Sequence, residues 1–167
     1  MTPAELLIDS FGRVLESGLS VVADLTDEQL AHRPGPQANS IAWLVWHLTR
    51  VQDDHVADVA GLEQVWTAQD FVGRFGLPFA ARDIGYGHTS EEVGHVRASA
   101  DLLAEYLTAV HEQTVAYVGS LDEAALDRVV DTRWDPAVTL GVRLVSVVND
   151  DTQHVGQASY VRGLLEA

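Results

Sequence analysis

Asp150, Asp151 and His154 lie in the stretch VVNDDTQHVGQASYVRGL, and a helical reading puts them where a packed helix would carry apolar groups. Leu140, Leu144, Val147, Asp151, His154, Ala158, Val161 and Leu165 follow alternating steps of four and three, and Asp150 stands one turn before His154. A carboxylate and an imidazole one turn apart can both point at one ion, which is why acid/His pairs at this spacing recur in metal sites of helical bundles. A further imidazole, His47, falls between Leu44 and Val51 on the apolar face of an earlier segment. Two facing helices would then supply two imidazoles and one carboxylate, enough to hold a divalent metal with positions left for water or substrate. Spacing also permits a plainer arrangement, in which the histidines are satisfied core residues and Asp150 pairs with His154 or an arginine. It does not choose between Asp150 and Asp151.

The elements that must position these residues are helical. Leu7, Phe11 and Val14 recur at helical spacing in a first helix of about four turns, and Asp27 to Leu30 could add one short turn before Pro34 and Pro36. A second helix follows Asn39 or Ser40, both good N-caps, and runs through IAWLVWHLTRVQDDHVADVAG to a stop at Gly61. VWTAQDFVGRFGLPFAARDIGYGHTSEE has no sustained period and reads as a long structured connection of the kind that forms lids or site walls. Thr89-Ser90-Glu91-Glu92 matches a capping box, opening a third helix with Val96, Ala100, Leu103, Leu107, Val110, Thr114 and Tyr117 as its seam. After a segment holding a short turn and a small extended piece, a last helix runs from about Thr139 to Leu165. The expected fold is an all-α four-helix bundle in one domain over residues 1–167, with a long structured connection between helices 2 and 3.

Composition removes whole classes of function. The net charge of −15, from 25 carboxylates against 10 arginines and no lysine, repels nucleic acids and anionic membranes. No apolar run approaches the roughly 20 residues that span a bilayer, and the N-terminus lacks a basic start and continuous apolar stretch, so a cytoplasmic protein is expected. With no cysteine, the chain has no thiolate ligand or thiol nucleophile of its own. Any thiol chemistry must bring its thiol from outside.

SIAWLVWHLTRVQDDHV, followed far downstream by DDTQHVGQASYVRGL, resembles the DinB-like superfamily of four-helix metalloproteins over essentially the whole chain. The likeness is strongest to the actinobacterial branch that includes mycothiol-dependent maleylpyruvate isomerase and related thiol transferases, and RFGLPFAARDIGYGHT is similar to a connection in that branch. The resemblance implies that His47, Asp150 and His154 bind a divalent metal, with Gly156 and Gln157 as the Gly-Gln pair that follows. It also favours Asp150 over Asp151. The commonest superfamily pattern has three histidines, and the isomerase has Glu at the middle position. Asp is shorter by one methylene, which would bring the ion closer to the last helix or leave one contact to water. Two imidazoles and a carboxylate suit Zn²⁺, with Ni²⁺, Fe²⁺ and Mn²⁺ compatible by ligand type.

The resemblance implies a thiol-dependent S-transferase, with a small-molecule thiol such as mycothiol as co-substrate and Asp151 or Gln157 orienting ligands. A metal-dependent hydrolase, or a metal-binding module that forms a homodimer without catalysis, are the alternatives. The isomerase has a further C-terminal domain whereas this sequence stops at Ala167, so isomerase activity is not expected. His55 is expected at a rim, His88 beside the capping box, and His32, His95 and His111 in solvent. Trp43, Trp46, Trp66 and Trp134 read as core or rim fillers, and Arg50 as the partner of an acid ahead of a substrate carboxylate.

Overall fold

The computed structural model describes residues 1–165. Its elements are α1 (Pro3–Val22), α2 (Asp27–Leu30), α3 (Ile41–Ala60), α4 (Val65–Ala68), α5 (Phe71–Phe75), α6 (Ser90–His95), α7 (Ala100–Gly119), a 3₁₀ turn (Ala124–Asp127), β1 (Val129–Asp131), β2 (Val138–Thr139) and α8 (Leu140–Leu165). Four long helices form the expected bundle. α1 packs on α7 and α8, and α3 packs on the same two, so α1 and α3 stand across the bundle from each other. The end of the sequence at Ala167 lies outside the described residues. No helix among them is long and apolar enough to cross a membrane.

Local chemistry accounts for the ends of the long helices. Thr2 and Glu5 close a capping box on α1, which at 20 residues is longer than the four turns expected. The far end of α1 is held from α8, where the Arg162 guanidinium donates to the carbonyls of Ser20, Val21 and Ala23. The Ser40 hydroxyl accepts the Trp43 amide at 3.1 Å to start α3, and Gly61 ends it in the left-handed conformation at φ +67°. Both ends match the sequence reading.

The third helix does not. The Thr89 capping box starts only the six-residue α6, and Val96 turns extended before Ser99 caps α7 afresh by accepting the Leu102 amide. A second N-cap therefore competed with continuation of the helix, and burying Val96 in the core favoured the break. The seam expected from Val96 to Tyr117 survives as buried Leu103, Leu107, Val110 and Thr114. The small extended piece is a two-stranded antiparallel hairpin, with Val129 opposite Thr139 and Asp131 opposite Val138.

The core is apolar at both ends of the bundle and polar in part between them. Around Trp43, Trp46, Trp66 and Tyr106 one cluster joins α3, α7 and the connection, and around Leu7, Phe11, Val59 and Leu140 another joins the opposite end. Between them Gln52 donates to the Thr114 hydroxyl at 2.8 Å, and Arg50 and Asp53 are fully buried with their charged atoms 3.7 Å apart. Arg50 is thus no substrate contact. Its guanidinium donates to Gln64 Oε1, the Tyr106 hydroxyl and the carbonyls of Ala81 and Asp83, and lies 4.9 Å from the centre of the Trp66 ring. Asp53 accepts the Val65 and Trp66 amides at the start of α4 and the Tyr106 hydroxyl at 2.8 Å. Burial pushes the Asp53 carboxyl above its ordinary pKa, and these hydrogen bonds and Arg50 oppose that push.

Removing one member leaves the other charge uncompensated in the interior. Asp53→Ala is expected to lower unfolding stability by about 3–5 kcal/mol, against about 0.5 kcal/mol or less for a surface change such as Glu16→Ala. Urea denaturation of the two variants beside wild type checks this.

Candidate metal centre

The central turns of α3 and α8 meet at His47, Asp150 and His154. One ligand atom from each lies within 4.8 Å of the others. The two imidazoles are 4.8 Å apart between ring centres and inclined at 73°, and His154 Nε2 is 3.7 Å from Asp150 Oδ1. The other carboxylate oxygen, Oδ2, is buried with no hydrogen-bond partner among the described residues and is thus available to a ligand. A tetrahedral zinc site has ligand atoms roughly 3.3 Å apart. Asp150 and His154 retain side-chain exposures of 27% and 18%, room for the small inward adjustment this needs.

Each histidine has one ring nitrogen already engaged. His47 Nδ1 meets the Ile84 carbonyl in a very short contact, and His154 Nδ1 lies 3.0 Å from Gln157 Oε1. Both partners are acceptors, so the Nδ1–H tautomer follows for both rings, and Nε2 keeps its lone pair. This is the arrangement that orients metal-ligating histidines and raises their basicity. Burial lowers the His47 pKa, with the Ile84 carbonyl opposing and the nearby His154 reinforcing, which favours the neutral imidazole a metal requires. Trp43 stacks on His47 at 4.5 Å and turns its edge to His154 at 6.3 Å, walling one side.

Asp151 is elsewhere. It is fully buried in the α8 seam with both oxygens unpartnered, and burial, followed by the charge of Asp150, pushes its carboxyl well above the ordinary range. One residue is about 100° of helix rotation. That turn separates a carboxyl facing the two histidines from one facing the core.

The connection supplies what sequence reasoning missed. Gly85 crosses α3 so closely that a Cβ there would lie 2.6 Å from His47 Nδ1 and within 3.2 Å of Trp43 and Trp46, and its φ is +97°. Only glycine lets the chain deliver the Ile84 carbonyl to His47. The approach is locked by Asp83, which accepts from the Gly85 amide at 2.8 Å and lies 3.1 Å from His88 Nε2, and whose carbonyl accepts from Arg50. His88 is therefore more than a neighbour of the capping box. It is buried, stacked on Trp46, and accepts Trp43 Nε1–H at 3.1 Å. Two glycines flanking an aromatic in IGYGH were the available signal.

The remaining candidates separate clearly. His55 faces Arg143, 3.1 Å away, rather than the cluster; burial and then Arg143 lower its pKa, while Asp54 and Asp150 oppose. Arg143 in turn lies 3.1 Å from Asp131 in the hairpin. Tyr86 sets its edge against His47 at 5.7 Å, and partial burial followed by the Asp150 charge pushes its phenol up. His32 and His95 are exposed as expected, whereas His111 is half-buried, with its Nδ1 unpartnered and its pKa lowered by that burial. Trp134 is 68% exposed and fills no core.

Comparison with known proteins bears on the family and the fold. No functionally curated protein matches the chain. A crystal structure of a conserved protein from Enterococcus faecalis superposes with a TM-score of 0.91 at 32% sequence identity, covering 97% of this chain and 96% of that one. The family model for mycothiol S-transferase, within the DinB-like superfamily, matches residues 6–167. A helical bundle whose second and last long helices converge on His47, Asp150 and His154, matched over nearly all its length by that model, belongs to the mycothiol-S-transferase family.

Proposed function

We infer that the protein is a metal-dependent S-transferase that joins a low-molecular-weight thiol of the mycothiol type to a small electrophilic molecule. The observation that carries this reading is the cluster of His47, Asp150 and His154, with both imidazoles presenting Nε2, in a member of this family. The chain has no cysteine, so the sulfur that forms the new bond comes from a co-substrate. Zinc is the favoured metal, because two imidazoles, a carboxylate and a thiol sulfur make a borderline-soft donor set.

When bound, such a cation favours the thiolate form of a thiol beside it. The protein's own residues prepare the site for that chemistry. Ile84 and Gln157 engage the two imidazoles at Nδ1 and leave Nε2 of each to a metal, and Asp150 contributes the negative charge that a dication needs. Trp43 and the pinned connection cover the His47 side of the cluster, where burial strengthens electrostatic interactions. The partly exposed side of Asp150 and His154 is left for thiol and electrophile. A cytoplasmic location suits a partner thiol that must stay reduced.

Metal analysis separates the two neighbouring carboxylates. Wild-type protein and Asp151→Ala are expected to hold one divalent metal per chain after dialysis, and His47→Ala and Asp150→Ala to lose it. Full retention in the last two would sink the site. Metal-loaded wild type should also consume mycothiol in the presence of an electrophile, followed as loss of free thiol; a rate equal to that without protein argues against transfer.

Gly85→Ala tests the support beneath His47. A methyl group there forces the connection away and removes the Ile84 carbonyl from Nδ1. Metal affinity is expected to fall about 10- to 100-fold, the usual loss when such an outer partner goes, as read by competition with a chromogenic chelator. Gly35→Ala, at a site with open space around it, serves as the control.

A further inference from the structure

One residue at the tip of the connection is unused by the fold. Tyr86 sits between Gly85 at φ +97° and Gly87 at φ +73°, and the backbone before it is anchored by Ile84 on His47 and by the Asp83 side chain on the Gly85 amide. The residue after Gly87, His88, is clamped between Trp43 and Asp83. A tip held this firmly could carry any side chain. It carries an aromatic ring that is 66% exposed and whose ring contact is an edge against His47. The hydroxyl has no hydrogen-bond partner among the described residues.

Its one ring contact among the described residues locates it beside the cluster. Its ring centre lies 5.7 Å from that of His47 at nearly a right angle, so the ring stands beside the imidazole that α3 contributes to the cluster. Tyrosine brings a broad apolar body and a polar tip at little cost in side-chain freedom, which suits it to a ligand with a polar frame. An exposed ring on a rigid backbone beside a reactive cluster is preorganised for contact, because it loses little entropy when the ligand arrives.

We propose that Tyr86 is a thiol-contacting residue, its ring covering the polar body of the co-substrate beside the His47, Asp150 and His154 cluster and its hydroxyl hydrogen-bonding to it. This rests on the thiol-transferase reading and names the residue that recognises the thiol. Tyr86 belongs to the connection rather than to either ligand-bearing helix. Recognition of the thiol is thereby separated from retention of the metal.

Cobalt-substituted wild type, Tyr86→Phe and Tyr86→Ala, titrated with mycothiol and followed by the thiolate-to-cobalt charge-transfer band, provide the test. All three should hold the same amount of cobalt. Tyr86→Phe is expected to weaken thiol binding about 3- to 10-fold, the effect of one lost hydrogen bond, and Tyr86→Ala to weaken it further. Binding within twofold of wild type in both variants, with the band intact, overturns the role of Tyr86 and leaves the transferase reading standing. No band in cobalt-loaded wild type overturns both.

Discussion

The buried pair of Arg50 and Asp53 is the constraint on which the rest of the structure depends. A guanidinium out of water is costly unless its donors are met, and here acceptors come from both ends of the connection and from α7: Gln64, Ala81, Asp83 and Tyr106. Asp53 completes the arrangement by receiving the first amides of α4. Satisfying two charges on one helix therefore folds some twenty residues of the connection, with its short helices α4 and α5, back over that helix. Arg50 and His47 are three residues apart on α3, so the backbone that Arg50 anchors at Asp83 is the backbone that meets His47 at Ile84.

The candidate metal centre inherits its precision from that anchoring. A histidine can rotate about two side-chain bonds, and a ligand that can rotate binds weakly. The Ile84 carbonyl, the stacked Trp43 ring and the close passage of Gly85 remove that freedom for His47, while the His154 side chain is steadied from its own helix by Gln157. The two sides of the site differ in stiffness. His47 is buried against a locked connection, and Asp150 and His154 are partly exposed and free to adjust to an incoming ion.

Asp151 shows a cost borne near this centre. Its carboxyl is fully enclosed without a partner, in a seam otherwise filled by Leu144, Val147, Val155 and Ala158. An apolar residue would pack there at lower cost. Sites that bind and react commonly depart from the most stable packing, and the departure here sits one residue from a candidate ligand.

Much of this was legible in the sequence, and the division follows the range of the interactions involved. The caps at Ser40 and Gly61, the bundle seams and the one-turn spacing of Asp150 and His154 depend on neighbours within about four residues, so the sequence by itself determined the long helices and the polar face of α8. It overran where two local signals competed, as in the break at Val96 between the caps at Thr89 and Ser99. Pairing of Arg50 with an acid was legible and Asp53 supplies it, but the roles of Gly85 and His88 escaped, because each is set by a partner more than thirty residues away. The family resemblance favoured Asp150 over Asp151, but the physical choice between them belonged to tertiary structure. Spacing offers both carboxylates, and only the angle at which α8 lies against α3 turns one toward His47 and the other into the core.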